Sequence, residues 1–248
     1  MSKIALITGA SRGIGAATAE LAAKSGYDVA VNYARDGDAA AQIVDRCRTN
    51  GHRAVALQSD IADPDAVEDM FAACDDALGT PDLLVNNAGI IGQASRFVDL
   101  TPDALQRTMA VNLFGTIYCA QAAARRMSKA QGGRGGAIIN ISSIAAVLGS
   151  PGEYVHYAAS KGAVETLTIG LGKELGPDGI RVNCIRAGTT DTDIHGRSGN
   201  PDRPAMVARA APLGRVAAPG DIAAAALWLA SEDADYITAS ILPVAGGL

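Results

Sequence analysis

The sequence predicts an α/β domain in which a parallel sheet is covered by helices on both faces. Three observations carry that expectation. Short apolar runs alternate along the chain with longer stretches of helical spacing, the order that crossover connections produce. The apolar residues are mostly Ala, Val, Ile and Leu, aromatics make up only 4%, and there are 28 glycines, a composition suited to helices packed closely on a buried sheet. The residues that follow the apolar runs are small, polar or glycine, and ligands of such sheets lie beyond the carboxyl ends of the strands.

The elements follow in order. Ile4 to Thr8 reads as the first strand. Gly13 to Ser25 reads as a helix, with Ile14, Thr18, Leu21 and Ala22 at helical spacing. Asp28 to Asn32 is a second strand and Asp38 to Thr49 a second helix. Ala54 to Leu57 is a third strand. Asp63-Pro64 has the form of an N-cap followed by proline in the first turn, opening a helix to about Leu78. Leu83 to Val85 is a fourth strand. Thr101-Pro102 caps a long helix running towards Arg126. Gln131 to Gly136 is a glycine-rich loop, and Ala137 to Ile141 a fifth strand. Tyr154 to Leu175 is a helix that Gly176-Pro177 ends. Ile180 to Ile185 is a sixth strand. The stretch 188–212 is rich in Gly, Pro, Asp and Arg and reads as loop with one short helix. Asp221 to Leu229 is a helix, and Ile237 to Val244 a seventh strand.

The 248 residues, 48% hydrophobic and 19% charged, fit one large domain over 1–248 without repeat or linker. A net charge of −5 with no basic tract argues against nucleic acid as a partner. No apolar run reaches the roughly 20 residues of a membrane span, and the apolar start at Ile4 is too short for a signal-peptide core. Cys47, Cys74, Cys119 and Cys184 form no C-x-x-C pair, and His52, His156 and His195 are scattered. This argues against a metal site or disulfide framework and for reduced thiols in the cytoplasm.

Thr8-Gly9-Ala10-Ser11-Arg12-Gly13-Ile14-Gly15 follows a strand and opens a helix. Glycines let the backbone turn tightly and approach a ligand, and the helix N-terminus offers N–H groups and positive dipole to a pyrophosphate. The spacing G-x-x-x-G-x-G differs from the common dinucleotide fingerprint, and no Lys-Ser/Thr pair follows to make a nucleotide P-loop. The second strand ends Val31-Asn32-Tyr33-Ala34-Arg35, with no carboxylate before Asp36 to hold a ribose 2′-hydroxyl. Arg12 and Arg35 near a 2′-phosphate favour NADP(H) over NAD(H), the latter remaining possible. Asp60 ends the third strand, placed to accept from an adenine amino group or to cap a turn.

Ser143, Tyr157 and Lys161 are the sharpest feature. Tyr157 and Lys161 stand four apart on a predicted helix and share a face. A free tyrosine, with a pKa of about 10, is a poor acid–base at neutral pH, and an adjacent ammonium favours its phenolate. Ser143 ends the fifth strand, where its hydroxyl could hold a carbonyl oxygen while Tyr157 moves the proton.

With Asn86-Asn87-Ala88-Gly89, Asn112 and Tyr157-Ala158-Ala159-Ser160-Lys161 added to the glycine loop and Ser143, the whole chain resembles the short-chain dehydrogenase/reductase family of single-domain type. The resemblance implies a Rossmann-type doubly wound domain with a seven-stranded parallel sheet, and an NADP(H)-dependent enzyme interconverting a carbonyl and its alcohol. It makes Tyr157 the general acid in reduction and base in oxidation. Lys161 lowers the pKa of Tyr157 and holds the nicotinamide ribose, Ser143 polarises the carbonyl, and Asn112 holds a water leading to solvent. Cofactor contacts are implied for Gly9, Ser11, Arg12, Gly13, Ile14 and Gly15 in the loop. At the next strand ends they fall to Asn32, Tyr33, Arg35, Asp60 and Ile61. Asn87, Ala88 and Gly89 line the adenine-ribose side and stabilise the central sheet, and Val111 is a further cofactor contact. Thr192 and the Thr190 backbone bond the carboxamide, and Gly188, Tyr157 and Lys161 complete the cofactor contacts. No metal is implied.

The chain departs from the family pattern in places. Ala187 stands where proline is expected before Gly188. The Ser143-to-Tyr157 separation is one residue longer than the commonest spacing, and Gly149-Ser150-Pro151-Gly152-Glu153 fills that gap. Ala239 replaces a usual glycine, and no acid precedes Gly246-Gly247. The segment 189–212, with Asp193, His195, Arg197, Arg203 and Arg209, is expected to be a mobile substrate cover. A homotetramer or dimer is implied, with contacts from the helix after Pro102, the Tyr157 helix and the C-terminal elements. Ala163, Gly170 and Gly172 offer close helix approach, between subunits or within one chain. The substrate is a small carbonyl or alcohol, with a 3-oxoacyl thioester and a sugar or polyol as alternatives. A non-catalytic dinucleotide sensor is the reading from a different class.

Overall fold

The computed structural model of the chain describes residues 2–192 and 203–248. Its strands are β1 (Lys3–Ile7), β2 (Tyr27–Tyr33), β3 (Ala54–Gln58), β4 (Leu83–Asn86), β5 (Gly136–Ser143), β6 (Ile180–Ala187) and β7 (Ile241–Val244). They form one sheet in the order β3-β2-β1-β4-β5-β6-β7, every pair parallel. The order reverses between β1 and β4, and the crevice above that switch is where such sheets bind ligands.

The helices are α1 (Gly13–Lys24), α2 (Gly37–Arg48), α3 (Pro64–Ala77), α4 (Pro102–Met109), α5 (Gly115–Met127), α6 (Ala145–Leu148), α7 (Val155–Glu174), α8 (Arg203–Ala210) and α9 (Pro219–Ala230). Two cores flank the sheet. Alanines 16, 19, 22 and 23 of α1 pack with Ile43 of α2 and Ile222 of α9 against Val29, Val31 and Ile139. On the other face Phe71 and Met70 of α3 and Cys119 and Ala123 of α5 cover Leu6, Leu84 and Ile138. The run of alanines brings α1 close to the strands, as the composition implied.

Asp63 accepts from the Asp65 and Ala66 N–H groups at 3.0 and 3.4 Å ahead of Pro64. Thr101 accepts from Ala104 at 3.3 Å ahead of Pro102. Both caps therefore start their helices where expected. Two elements differ from expectation. The helix running from Pro102 is not one regular helix, because Ala110–Phe114 form a wider turn between α4 and α5. The last strand begins at Ile241 rather than Ile237. Ile237 O accepts from the Asn183 side chain at 2.8 Å and from Arg181 at 3.2 Å, and Ala239 has φ +57. The left-handed Ala239 interrupts regular strand geometry over 237–240, although Ala239 N–H still donates to Val182 O and Ser240 O still accepts from Cys184 N–H, both at 2.8 Å. A side chain on Gly172 would meet Ala239 N at 2.5 Å, so this small residue serves packing within the chain.

Candidate active site

The carboxyl ends of β1 to β6 open into one cleft of about 700 Å³. All the proposed cofactor residues line it except Gly15. Gly15 lies behind the loop, where a Cβ would stand 2.5 Å from Asn87 Nδ2 and 2.6 Å from Gly9 O. Gly9 (φ +62) and Gly13 (φ +55) take backbone conformations that side-chain-bearing residues avoid. A Cβ on Gly9 would meet Ala88 Cα at 2.9 Å, and one on Gly13 would meet Thr192 Cγ2 at 3.2 Å. No side chain caps the first turn of α1, so its N–H groups remain for an anion. This cradle of glycines at a helix N-terminus fits the pyrophosphate of a dinucleotide.

Neighbouring side chains brace the loop. Asn32 Oδ1 accepts from Gly9 N–H at 3.1 Å, while its Nδ2 donates to Leu57 O and Ser59 O, both at 3.2 Å. Asn32 thus shapes the loop, its carboxamide committed to backbone on three sides. Thr8 Oγ1 accepts from the N–H groups of Asn87 and Ala88, each at 3.0 Å. Asn87 Nδ2 donates to Thr8 O at 2.9 Å and Gly9 O at 3.2 Å. These bonds fasten the segment after β4 to the segment after β1.

At the adenosine end Arg12 Nη2 lies 3.5 Å from Asp36 Oδ2, and Arg35 is an exposed part of the cleft wall. Asp60 caps its own turn, accepting from Ala62 N–H at 3.1 Å, and it pairs with Arg107 at 2.8 Å. Burial tends to raise the Asp60 carboxyl pKa. The Ala62 N–H and Arg107, with Arg35 further away, outweigh it and hold the group below its ordinary value. Arg107, on α4, lines the cleft and was not singled out from sequence, since nothing in its local pattern distinguishes it from a solvated helix residue.

At the other end Ser143, Tyr157 and Lys161 line one wall. Ser143 ends β5, and its Oγ accepts from Ala145 N–H at 3.2 Å. Lys161 is buried, with Nζ 5.8 Å from the Tyr157 ring centroid and donating to Ile141 O at 2.8 Å. Burial pushes its ammonium down to about 8, opposed weakly by Cys184. Asn112, fully buried in the wide turn, accepts from Ile90 N–H at 2.8 Å and donates to Ile90 O at 2.9 Å and Ser160 Oγ at 3.0 Å. The turn rotates Asn112 towards the helix that carries Tyr157. Thr190 Oγ1 donates to Gly188 O at 3.0 Å, and Thr192 Oγ1 to Thr190 O at 3.4 Å. These two bonds hold the strand-six loop in shape despite Ala187 in place of proline.

The expected cover falls partly outside the described residues. Asp193, His195, Arg197 and the Arg203 side chain are among those positions, and the short helix expected there is α8. Among the described residues no group of three or more His, Cys, Asp or Glu could hold a metal ion, and no helix is long and apolar enough to cross a membrane.

Comparison with known proteins agrees with this geometry. The family model described as enoyl-(acyl carrier protein) reductase matches residues 9–248. The uncharacterized oxidoreductase YgfF of Escherichia coli is 46% identical over 98% of this chain and 99% of its own. An L-rhamnose 1-dehydrogenase (NAD(P)(+)) of a Sphingomonas species is 41% identical over 99% of this chain and 96% of its own. A short-chain dehydrogenase of Burkholderia cenocepacia, solved in complex with NADP, superposes with a TM-score of 0.90 at 36% identity, covering 99% and 97% of the two chains. The chain belongs to the short-chain dehydrogenase/reductase family, a family of nicotinamide-dependent oxidoreductases of alcohols and carbonyls.

Proposed function

We propose that the chain is a single catalytic domain that interconverts a ketone or aldehyde with its alcohol, using NADP(H) in preference to NAD(H). The observation that carries this reading is the convergence of Ser143, Tyr157 and Lys161 on one wall of a cleft whose far end is the glycine cradle. Bound there, the nicotinamide supplies or takes the hydride. Tyr157 gives its proton to the carbonyl oxygen in reduction and takes the alcohol proton in oxidation. Ser143 donates to the same oxygen. Lys161 favours the phenolate electrostatically and holds ribose hydroxyls. A methyl group on Gly89 would sit 3.4 Å from both Asn112 Oδ1 and Lys161 Nζ. The space that Gly89 leaves between those atoms suits the water that passes protons from Lys161 to solvent.

Arg12 and Arg35 support NADP(H), as does the NADP complex of the Burkholderia relative. The NAD(P) name of the rhamnose enzyme keeps NAD(H) as a second cofactor. The retained Ser143, Tyr157 and Lys161 argue against the sensor reading. The chain works in the cytoplasm on this reading, its four cysteines being buried free thiols. It assembles as a homotetramer through exposed apolar residues on α4–α5 and at the C-terminal end.

The test is NADPH oxidation over a panel of aldehydes, diketones, acyl thioesters and sugars, with NADP⁺ reduction on the alcohols. Wild-type turnover should fall by roughly 100-fold or more in Tyr157→Phe, with NADPH affinity nearly unchanged. Turnover retained in that variant would remove Tyr157 from proton transfer.

A further inference from the structure

We propose that Arg107 is a positioning residue for cofactor recognition: by holding one oxygen of Asp60 it aims that carboxylate at the amino group of an adenine, so that the cleft prefers an adenine dinucleotide to its 6-oxo counterpart. This rests on the reading of the cleft as a dinucleotide site and deepens it. Sheet topology places the pair first. Ser143 ends β5, on one side of the switch between β1 and β4. A dinucleotide with its pyrophosphate on the glycine loop therefore carries its nicotinamide over β5 and β6 and its adenine over β2 and β3. Asp60 lies two residues beyond β3 and lines the cleft together with Arg107.

The Asp60 backbone is fixed from several sides. Ser59 N–H donates to Tyr33 O at 2.9 Å, Ser59 O accepts from Asn32 Nδ2 at 3.2 Å, and Asp60 O accepts from Asp63 N–H at 3.0 Å. Ile61 is buried so close to Gly115 that a Cβ on that glycine would stand 2.7 Å from the Ile61 side chain and 2.8 Å from its carbonyl oxygen. This approach sets the segment after β3 against the junction of α4 and α5. From α4, Arg107 Nη2 donates to Asp60 Oδ2 at 2.8 Å, while Oδ1 accepts from Ala62 N–H at 3.1 Å.

With a donor on each oxygen, the carboxylate is held at both ends. It has about four acceptor positions, so lone pairs remain for a ligand, and its side chain is 44% exposed. The Ala62 and Arg107 donors also keep it ionised. An ionised carboxylate accepts hydrogen bonds and donates none. It therefore bonds the 6-amino group of adenine and opposes the 6-oxygen of hypoxanthine. Without Arg107 the Oδ2 end loses its anchor, and the cofactor must order the carboxylate on binding.

The experiment measures equilibrium binding, by fluorescence titration, of NADPH, NADH and reduced nicotinamide hypoxanthine dinucleotide phosphate. The proteins are wild type, Arg107→Met, Asp60→Ala and the double variant. Methionine keeps the apolar stem of Arg107, and loss of a half-exposed pair costs the fold little. Wild type should bind NADPH about tenfold or more tightly than the hypoxanthine dinucleotide. In Arg107→Met, NADPH and NADH affinities should fall by a common factor of about three to ten, the cost of ordering one side chain. The preference for adenine should shrink by a similar factor. In the double variant that preference should match Asp60→Ala, because Arg107 works through the carboxylate. Full adenine preference in Arg107→Met would overturn the proposal, as would a preference lower in the double variant than in Asp60→Ala. A loss confined to NADPH would also overturn it, by making Arg107 a phosphate contact. A wild type that binds neither NADPH nor NADH would instead break the dinucleotide reading on which the proposal stands.

Discussion

Glu165 and Arg186 grip each other through two hydrogen bonds, Arg186 Nε to Oε1 at 2.8 Å and Nη2 to Oε2 at 2.6 Å. Ser142 Oγ adds a third at 2.9 Å to Oε1. Glu165 lies one turn beyond Lys161 on α7, Ser142 precedes Ser143 on β5, and Arg186 opposes Ser142 in the β5–β6 register. One ion pair, its glutamate buried and its arginine partly exposed, therefore joins the three elements around the proposed site.

Removing one partner strands the other. Glu165→Ala is expected to lower stability by about 1.5–3 kcal/mol, since it leaves Arg186 without its partner and Ser142 without its carboxylate, while the partly exposed guanidinium regains some water. The double variant Glu165→Leu/Arg186→Met should recover most of that loss. Urea denaturation of both singles and the double measures the coupling. Additive losses would show that the pair does not act as a unit.

Lys161 predicts a pH dependence whose sign is fixed. Its ammonium has a pKa of about 8 in the fold, through burial, against an ordinary 10.5. Between those values the unfolded chain binds more protons, so this group makes stability rise with pH across that window. The four buried thiols act the other way above their ordinary 9.0, since burial raises them to about 11 or 12. The clean readout is a difference. Denaturation of cofactor-free wild type and Lys161→Met from pH 7.5 to 10 should show wild type gaining relative to the variant as pH rises. Parallel curves would mean that Lys161 is not held in its depressed state.

The sheet and the proposed catalytic trio are legible because each rests on local pattern. Strands showed as apolar runs, caps as Asp63-Pro64 and Thr101-Pro102, and the Tyr157–Lys161 pair as a four-residue helical spacing. What escaped is non-local. Arg107 meets Asp60 across 47 residues and Arg186 meets Glu165 across 21, and no periodicity announces either. The wide turn at Ala110–Phe114 keeps a helical pattern while changing the direction of Asn112. Ile237 looked like strand because its side chain is apolar, yet the side chains of Asn183 and Arg181 claim its carbonyl. The resemblance makes Asn32 a cofactor contact, and in the structure its carboxamide braces the loop through Gly9 N–H, Leu57 O and Ser59 O.

The cofactor preference can be shifted at two positions. Arg35→Asp should weaken NADPH binding by about tenfold or more while changing NADH binding little, as expected for loss of a charged contact to the 2′-phosphate. Asp36→Asn keeps a side-chain oxygen to cap α2, where Asp36 now accepts from Ala39 N–H at 3.1 Å. It also releases Arg12 from its carboxylate partner, so NADPH affinity should rise relative to NADH. Fluorescence titration of both cofactors decides. Equal changes for the two would remove these residues from the 2′-phosphate site.

Burial makes the thiols inert. Cys47, Cys74, Cys119 and Cys184 are all buried and free, and a thiol held up to about 11 or 12 carries almost no thiolate at neutral pH. An aromatic disulfide reagent at pH 7.5 should find none of the 4 cysteines in the native protein and all 4 after unfolding. Fast reaction of the native form would show that the fold opens around one of them.

The proposed assembly rests on what the single chain leaves uncovered. Leu105 on α4 and Phe114 at the start of α5 are 41% and 45% exposed, and Trp228 and Tyr236 at the C-terminal end are 43% and 100% exposed. Exposed large apolar side chains can mark contact sites, and two such regions, on α4–α5 and at the C-terminal end, suit the proposed tetramer, a closed assembly with two interfaces. Because Phe114 closes the wide turn that holds Asn112, a contact on this face would also steady the site from outside. Phe114→Glu should therefore reduce a tetramer to dimers held by the C-terminal face, and Trp228→Glu to dimers held by α4 and α5. Light scattering behind size exclusion reads the masses directly. Two variants that both remain tetrameric would place the interfaces elsewhere, and a monomeric wild type would remove the assembly altogether.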